Sequence, residues 1–363
     1  MGADDQTVEV RTMGAGSGRP PASRRAFLAG ASAGKAAVPG TMRAVVLDAP
    51  GPPSALAIRE LPVPVPSAGQ VLIRVRAFGL NRLELYLRLG LSEGVTFPRV
   101  PGVEAVGVVA ECPGGEFRAG QQVATLTGGM GRVFDGGYAD YTCVPAAQVF
   151  PFRSDLDWAT LGAVPLMLEA SYGSLTTGLD ARPGQSILIR GGTSSVGLAT
   201  AVLARQRGMT VLSTTRNPGK AEAVTRAGAD HVLIDDGDVA RQVREILHGG
   251  ADAALELVGT PTLPDTLRSV RVHGVVCFSG MLSNQWTVHD FYPMDYLPTG
   301  VRLTAYKGDP PDLPPQVLQD FLDAVAAGTA AVPVGRVYRF DQIVEAHTDM
   351  EQNRASGKLV VTT

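Results

Sequence analysis

From Met42 onward the chain alternates between two textures of apolar and polar positions. Residues 42–48 (MRAVVLD), 70–78 (QVLIRVRAF), 103–111 (VEAVGVVAE) and 121–126 (QQVATL) run apolar or alternate over strand lengths, with Pro- and Gly-rich turn material between them. This predicts a β-rich first part. Near residue 160 the texture changes to short apolar runs separated by stretches with helical spacing. Strands are expected at SILIR (186–190), TVLSTT (210–215), HVLID (231–235), AALELVG (253–259) and GVVCFSG (274–280). Helices are expected from the end of the first of these runs to about 207, from about 218, and over 238–246. Apolar strands joined by amphipathic helices build a parallel sheet covered on both faces, so this part reads as a doubly wound α/β domain. A further helix is expected near 315–327, and KLVVTT (358–363) is expected to rejoin the first domain.

Composition narrows the class. At 363 residues and 45% hydrophobic, the chain can bury two ordinary cores. A net charge of -3 supplies no basic excess for a phosphate backbone, which argues against nucleic acid and for a small-molecule partner. No run approaches the roughly eighteen uninterrupted apolar residues of a membrane span. Cys112, Cys143 and Cys277 lie too far apart for a disulfide framework or a zinc knuckle, so reduced thiols in the cytoplasm are expected. Residues 1–41 read as a disordered extension or a mis-assigned start. Within them Ser23-Arg24-Arg25-Ala26-Phe27-Leu28 and Ala31-Ser32-Ala33 resemble a twin-arginine export signal, the alternative reading, although Lys35 breaks the short apolar run. Gly30 to Lys35 is one residue short of a phosphate loop and lacks the hydroxyl residue after the lysine.

The most informative motif follows SILIR: Gly191-Gly192-Thr193-Ser194-Ser195-Val196-Gly197, leading directly into a helical stretch. In the dinucleotide fingerprint, outer glycines permit the tight turn and close helix packing, and the middle position lets backbone approach a pyrophosphate. Gly192 and Gly197 take the outer positions and Ser194 the middle one. Its hydroxyl is expected to add a donor to the N–H groups of Thr193, Ser195 and Val196 at the helix N-terminus. A NAD-specific site would carry Asp or Glu at the end of the next strand. Here stand Thr214, Thr215, Arg216 and then Lys220, groups suited to a 2'-phosphate, so NADPH is the expected cofactor. Solvated charges at a helix start are the plainer reading of Arg216 and Lys220.

The segments MRAVVLDAPG, AFGLNRLELYLRLG (77–90), PGVEAVGVV (101–109), DGGYADYTCVPA (135–146), RGGTSSVG (190–197) and the late GKLVV together resemble the medium-chain dehydrogenase/reductase superfamily, in its zinc-free quinone oxidoreductase (zeta-crystallin-like) branch. The likeness spans about Met42 to Thr363. It implies a GroES-like catalytic domain (42–166 and 302–363), a Rossmann NADPH-binding domain (167–301), and a nicotinamide held in the cleft between them.

Where zinc relatives place a Cys this chain has Asn81, and where they place Gly-His-Glu it has Gly102-Val103-Glu104, so metal-independent chemistry is expected. The five histidines read as surface or capping residues, and Glu84, Arg88 and Glu104 as structural. The resemblance directs Asn81 and Tyr86 into the cleft. Asn81 is expected to hydrogen-bond ribose or substrate, or to cap a turn; Tyr86 is expected to donate to the developing oxyanion, or to pack. Val258, Gly259, Ser279 and Gly280, at strand ends, are further expected cofactor contacts, whereas Asp235-Asp236 stands where relatives carry a tyrosine beside the adenine. The glycine-rich loop 127–137 is expected to be mobile and to cover substrate.

Without a metal the acceptor must already be electrophilic. Quinone reduction leads, with enone or enoyl-thioester reduction and a non-catalytic NADPH-binding sensor as alternatives. A homodimer is expected from the family and from the apolar strand VRLTAY (301–306), which could extend a sheet across subunits or lie internally.

Overall fold

The computed structural model describes residues 38–92, 94–308, 313–352, 354 and 357–363. The export-like, cleavage-like and phosphate-loop-like segments lie outside the described residues. Strands β1 (Thr41–Leu47) and β2 (Leu56–Pro62) pair antiparallel. β3 (Gln70–Gly79) then organises a seven-stranded sheet with β4 (Glu104–Glu111), β5 (Gln122–Leu126), β6 (Tyr141–Pro145) and β7 (Val149–Pro151). β3 is apolar on both faces because it is covered on both: Ile73, Val75 and Phe78 pack in the core of this sheet, and Ala77 faces the core shared with the second half.

The chain leaves through helices α2 (Trp158–Gly162) and α3 (Pro165–Gly173), having formed α1 (Arg82–Arg88) after β3. The second sheet comprises β8 (Ser186–Arg190), β9 (Thr210–Thr215), β10 (His231–Ile234), β11 (Ala251–Glu256), β12 (Val270–Phe278) and β13 (Arg302–Ala305). Its six strands run parallel in the order β10-β9-β8-β11-β12-β13. The winding reverses between β8 and β11, and such a reversal opens a ligand crevice at the carboxyl ends of those strands. Helices α4 (Ser195–Gln206), α5 (Ala221–Arg226), α6 (Val239–Ile246) and α7 (Leu263–Ser269) cover the faces, with α8 (Pro293–Tyr296) before β13. The chain returns through α9 (Pro315–Ala326), β14 (Val334–Arg339), α10 (Ile343–Glu351) and β15 (Lys358–Thr362); β15 pairs with β3, as expected of KLVVTT. The GroES-like β-rich part and the doubly wound part are thus both present. Among the described residues no helix is long and apolar enough to cross a membrane.

Three expectations are corrected. Strand β13 pairs with β12, so residues 302–305 belong to the parallel sheet and not, as expected, to the first domain. The loop 127–137 is tied down rather than loose. Gly136 N–H donates to Val100 O at 2.8 Å, Gly137 N–H to Gly102 O at 3.0 Å, and Met130 is fully buried. Its glycines serve backbone contact, which composition cannot distinguish from mobility.

Finally, His347 is no surface residue. It is fully buried on α10, with Nε2 3.1 Å from the Tyr138 hydroxyl, because α10 packs the histidine onto the aromatic core of the first sheet. Burial, helped by the Arg88 guanidinium, holds its imidazole down at about 3, against 6.5 in the unfolded chain. The unfolded state binds more protons between these values, so this histidine costs stability as the pH falls from 6.5 towards 3. Glu84 has the opposite sign: burial pushes it from 4.5 up to about 7, so the folded chain gains as the pH falls through that window. His347→Gln is expected to remove an acid-side loss of up to about 1.4 kcal/mol per pH unit. Denaturation midpoints at stepped pH read this, and a gap between wild type and variant that stays constant with pH would rule out a buried neutral histidine.

Candidate active site at the cleft

The glycine-rich turn forms between β8 and α4 as its spacing predicts. A Cβ at Gly192 would sit 1.9 Å from Ser213 Oγ, and one at Gly197 would sit 2.6 Å from Gly191 O. Only glycine lets the helix start this close to the strands. Ser194 is the N-cap of α4: its hydroxyl accepts from Gly197 N–H at 3.0 Å and donates to Gly191 O at 2.8 Å. That corrects its expected role, since the hydroxyl is spent inside the turn and does not add a donor to the anion site. The first-turn N–H groups of Ser195 and Val196, which no intrahelical carbonyl can reach, remain directed out of the helix beside Thr193. The turn fits a pyrophosphate.

At the end of β9, Thr215 is buried and its hydroxyl is used locally, donating to Asn217 O at 3.0 Å and accepting from Asn217 N–H at 3.1 Å. Arg216 is exposed, and Lys220 half-buried, on the same connection. Asp235, at the end of β10, is pinned by the buried Arg190, whose Nε and Nη2 donate to its two oxygens at 2.6 and 2.7 Å. Arg190 Nη1 donates to Asp265 at 2.6 Å, and Asp265 in turn accepts the Val239 N–H at the start of α6. This triad beneath the phosphate turn was not legible in the sequence; an arginine closing an otherwise apolar strand was its only signal.

The strand ends expected to touch cofactor converge here. Val258 follows β11 and gives its N–H to Glu256, a fully buried carboxylate that also accepts from Gly259 N–H and from the hydroxyls of Thr262 and Thr266. Glu256 was missed, and it sets the turn that carries Val258. Ser279 and Gly280 follow β12; the Ser279 hydroxyl meets Ser174 Oγ at 2.9 Å and Tyr306 O at 3.3 Å, and Gly280 lies against the backbone of Leu257.

Across the cleft stands α1. Tyr86 places its hydroxyl 3.3 Å from both Met281 O and Asn284 Oδ1, two acceptors for one proton, and its ring centroid 5.1 Å from that of Trp286. Arg82 donates to the same Asn284 oxygen at 3.0 Å. Burial raises the Tyr86 phenol above its ordinary value, which keeps its proton in place. Residues 281–286, which sequence reasoning passed over, therefore form the wall facing α1.

Asn81, the N-cap of α1, lies at the edge of a buried charged group. Its Nδ2 donates to Glu104 at 2.9 Å, Lys358 donates to its Oδ1, and its backbone N–H donates to Glu84 at 2.8 Å. Lys358 and Glu104 form a salt bridge at 2.7 Å. Arg88 is buried too, paired with Glu351 at 2.6 Å, so Glu84, Arg88 and Glu104 all make structural contacts. This donor set does not fit zinc. An ammonium already occupies the carboxylate that would have to face a metal, and the other donors nearest it are an amide and a second carboxylate engaged with backbone. Among the described residues, no group of three or more His, Cys, Asp and Glu side chains is arranged to hold a metal. Cavities of about 610 and 540 Å³ lie elsewhere and are lined by none of the expected site residues.

Residues 67–154 match the family model described as an alcohol dehydrogenase GroES-like domain, and residues 227–361 the one described as a zinc-binding dehydrogenase. The chain is similar to the quinone oxidoreductase of Lama guanicoe, 26% identical over 335 residues that cover 88% of this chain and 97% of the relative. A 2-haloacrylate reductase of a Burkholderia species is 28% identical over 332 residues, covering 88% and 98%. A mycobacterial structure complexed with NADPH superposes with a TM-score of 0.76 at 25% identity, covering 89% of this chain and all of the other.

Proposed function

We propose, since the chain belongs to the medium-chain dehydrogenase/reductase superfamily in its quinone oxidoreductase branch, that it moves a hydride from NADPH to a quinone or similarly electron-poor acceptor without a metal. The observation that carries this reading is the cleft. A turn fitted to pyrophosphate lies beside Leu282, in the segment whose Met281 and Asn284 meet Tyr86 of α1, while the donor set around Asn81, the N-cap of α1, does not fit zinc.

When bound, the nicotinamide supplies the hydride. The residues of the chain do the rest. The turn from Gly192 to Gly197 receives the pyrophosphate at the start of α4, with Val258, Ser279 and Gly280 flanking it. Arg216 and Lys220 face the 2'-phosphate, with Thr215 shaping their connection. Asn81 donates to a ribose or acceptor oxygen, and Tyr86 passes its phenolic proton to the acceptor oxygen as charge arrives there. A conjugated acceptor spreads that charge, so positioning and a proton donor suffice. A homodimer through the outer edge of β13, in the cytoplasm, is the assembly proposed.

The test is NADPH oxidation followed by absorbance with a benzoquinone or naphthoquinone, with added chelator and with NADH in parallel. Chelator-resistant turnover that favours NADPH is expected, and tight NADPH binding without turnover of any quinone defeats the reading. A charge-assisted contact is worth about 1.5–3 kcal/mol, so Arg216→Ala is expected to weaken NADPH use roughly ten- to a hundredfold and leave NADH use unchanged. Equal losses with both cofactors would place Arg216 away from the phosphate. The relative named 2-haloacrylate reductase favours a second reading, reduction of a carbon–carbon double bond conjugated to a carbonyl; a saturated product instead of a hydroquinone distinguishes it.

A further inference from the structure

We propose that Lys358 is a positioning residue for Asn81, holding its carboxamide so that it meets the cleft as a hydrogen-bond donor only. This rests on the reading of Asn81 as a cleft residue. An ammonium has only protons to give, and an ionised carboxylate only lone pairs. With Lys358 on Oδ1 and Glu104 on Nδ2 at 2.9 Å, the chemistry of the partners sets the orientation of the amide. One Nδ2–H remains. Its nearest acceptors in the protein, Glu84 Oε1 at 3.4 Å and Gly79 O at 3.5 Å, are at the long limit of hydrogen bonding.

The surroundings suit a fixed orientation. Glu84 and Glu104 are fully buried and Lys358 is 4% exposed, so Asn81 alone of the four opens to solvent. A Cβ on Gly79 would sit 2.4 Å from both Glu104 Oε1 and Lys358 Cε, so the backbone of β3 makes room for the pair. β15 brings the lysine there by pairing Val360 with Gly79, two residues before Asn81. The group that binds Asn81 must therefore offer a lone pair, as a carbonyl oxygen does. With Lys358 and the charge of Glu104 both removed, the amide can turn over and present its own oxygen, which repels that carbonyl.

The experiment uses the full chain. Lys358→Met, the charge-balanced Lys358→Met/Glu104→Gln, Lys358→Arg and Asn81→Ala are compared in NADPH-dependent reduction of a benzoquinone. Misplacing a positioning group costs up to about a hundredfold, so Lys358→Met/Glu104→Gln is expected to lose roughly ten- to a hundredfold in kcat with little change in the KM for NADPH, and Lys358→Met, which keeps the carboxylate on Nδ2, to lose less. Lys358→Arg, which also carries only donors, is expected to recover part of the loss. In an Asn81→Ala background, Lys358→Met is expected to cost nothing further. Losses that multiply in the combined variant, or wild-type kcat in the folded Lys358→Met/Glu104→Gln chain, overturn the proposal.

A second readout needs no turnover. The Asn81 side-chain amide protons, identified by their disappearance in Asn81→Ala, are followed by nitrogen-edited NMR. Slow exchange in the wild type and fast exchange in Lys358→Met/Glu104→Gln support the positioning role, whereas equal exchange overturns it. A wild type inert toward every quinone defeats the functional reading, and the amide exchange then decides the role of Lys358.

Discussion

Arg190→Met is expected to lower the stability of the chain by about 3–5 kcal/mol, the usual cost of removing one partner from a buried charged group. The side chains of Arg190, Asp235 and Asp265 are 1%, 9% and 7% exposed, so solvent cannot take over the lost contacts. The guanidinium spans two carboxylates with a fork that no other side chain provides. Once it is removed, two negative charges face each other beneath the phosphate turn, and Asp265 keeps its bonds to the first turn of α6 and a longer ion pair with Arg268 at 3.5 Å. Arg190→Lys retains the charge without the fork and is expected to lose less, while Asp235→Asn keeps the Arg190–Asp265 pair and is expected to lose least. Urea denaturation of the three variants gives the ranking. A loss below about 1 kcal/mol for Arg190→Met would mean that the triad stabilises no more than a surface ion pair does.

Gly197→Val is expected to weaken binding of either nicotinamide cofactor at least about a hundredfold. The added Cβ would meet Gly191 O at 2.6 Å and Gly192 Cα at 2.8 Å, both backbone, so no side chain can swing aside to relieve it. The start of α4 must move off β8, and overpacking of this kind costs about 1–3 kcal/mol of stability. The larger consequence falls on the ligand. Each hydrogen bond to a charged group is worth about 1.5–3 kcal/mol, so losing two from the displaced helix start raises Kd by at least roughly a hundredfold. Calorimetric titration with NADPH and NADH tests this, with Ser195→Ala as the control expected to bind almost normally. Near-native affinity in Gly197→Val would put the pyrophosphate somewhere other than this turn.

Much of the fold was readable along the chain because it is written in short-range periods. The strands over 186–190 and 210–215 fall where the apolar runs place them, and the helix after the glycine turn ends at Gln206, one residue from its expected end. Strand ends were less legible: β11 closes at Glu256, short of the expected 259, because the buried carboxylate pulls the backbone into a turn. Helices α1, α2, α3, α7, α8 and α10 went unmarked. In α3 the buried residues, Glu169 and Ser171 among them, lie on more than one side of the helix and leave no polar stripe to reveal the helical period.

The site divides in the same way. The phosphate turn is local: six consecutive positions and the strand before them dictate its shape, and steric limits on Cβ make the glycines legible without coordinates. Asn81 and Tyr86 could be singled out by likeness, but their partners could not. Lys358 reaches Asn81 across 277 residues, Tyr86 meets Asn284 across 198, and His347 meets Tyr138 across 209. A charged or polar residue on an amphipathic element looks the same along the chain whether it ends in water or beside a buried partner. Periodicity and composition therefore dictate the two sheets, their order along the chain and the anion-binding turn. Burial and pairing of Lys358, Arg190, Glu256 and His347 follow from packing, because the free energy of a charge or imidazole depends on the groups that the fold brings against it.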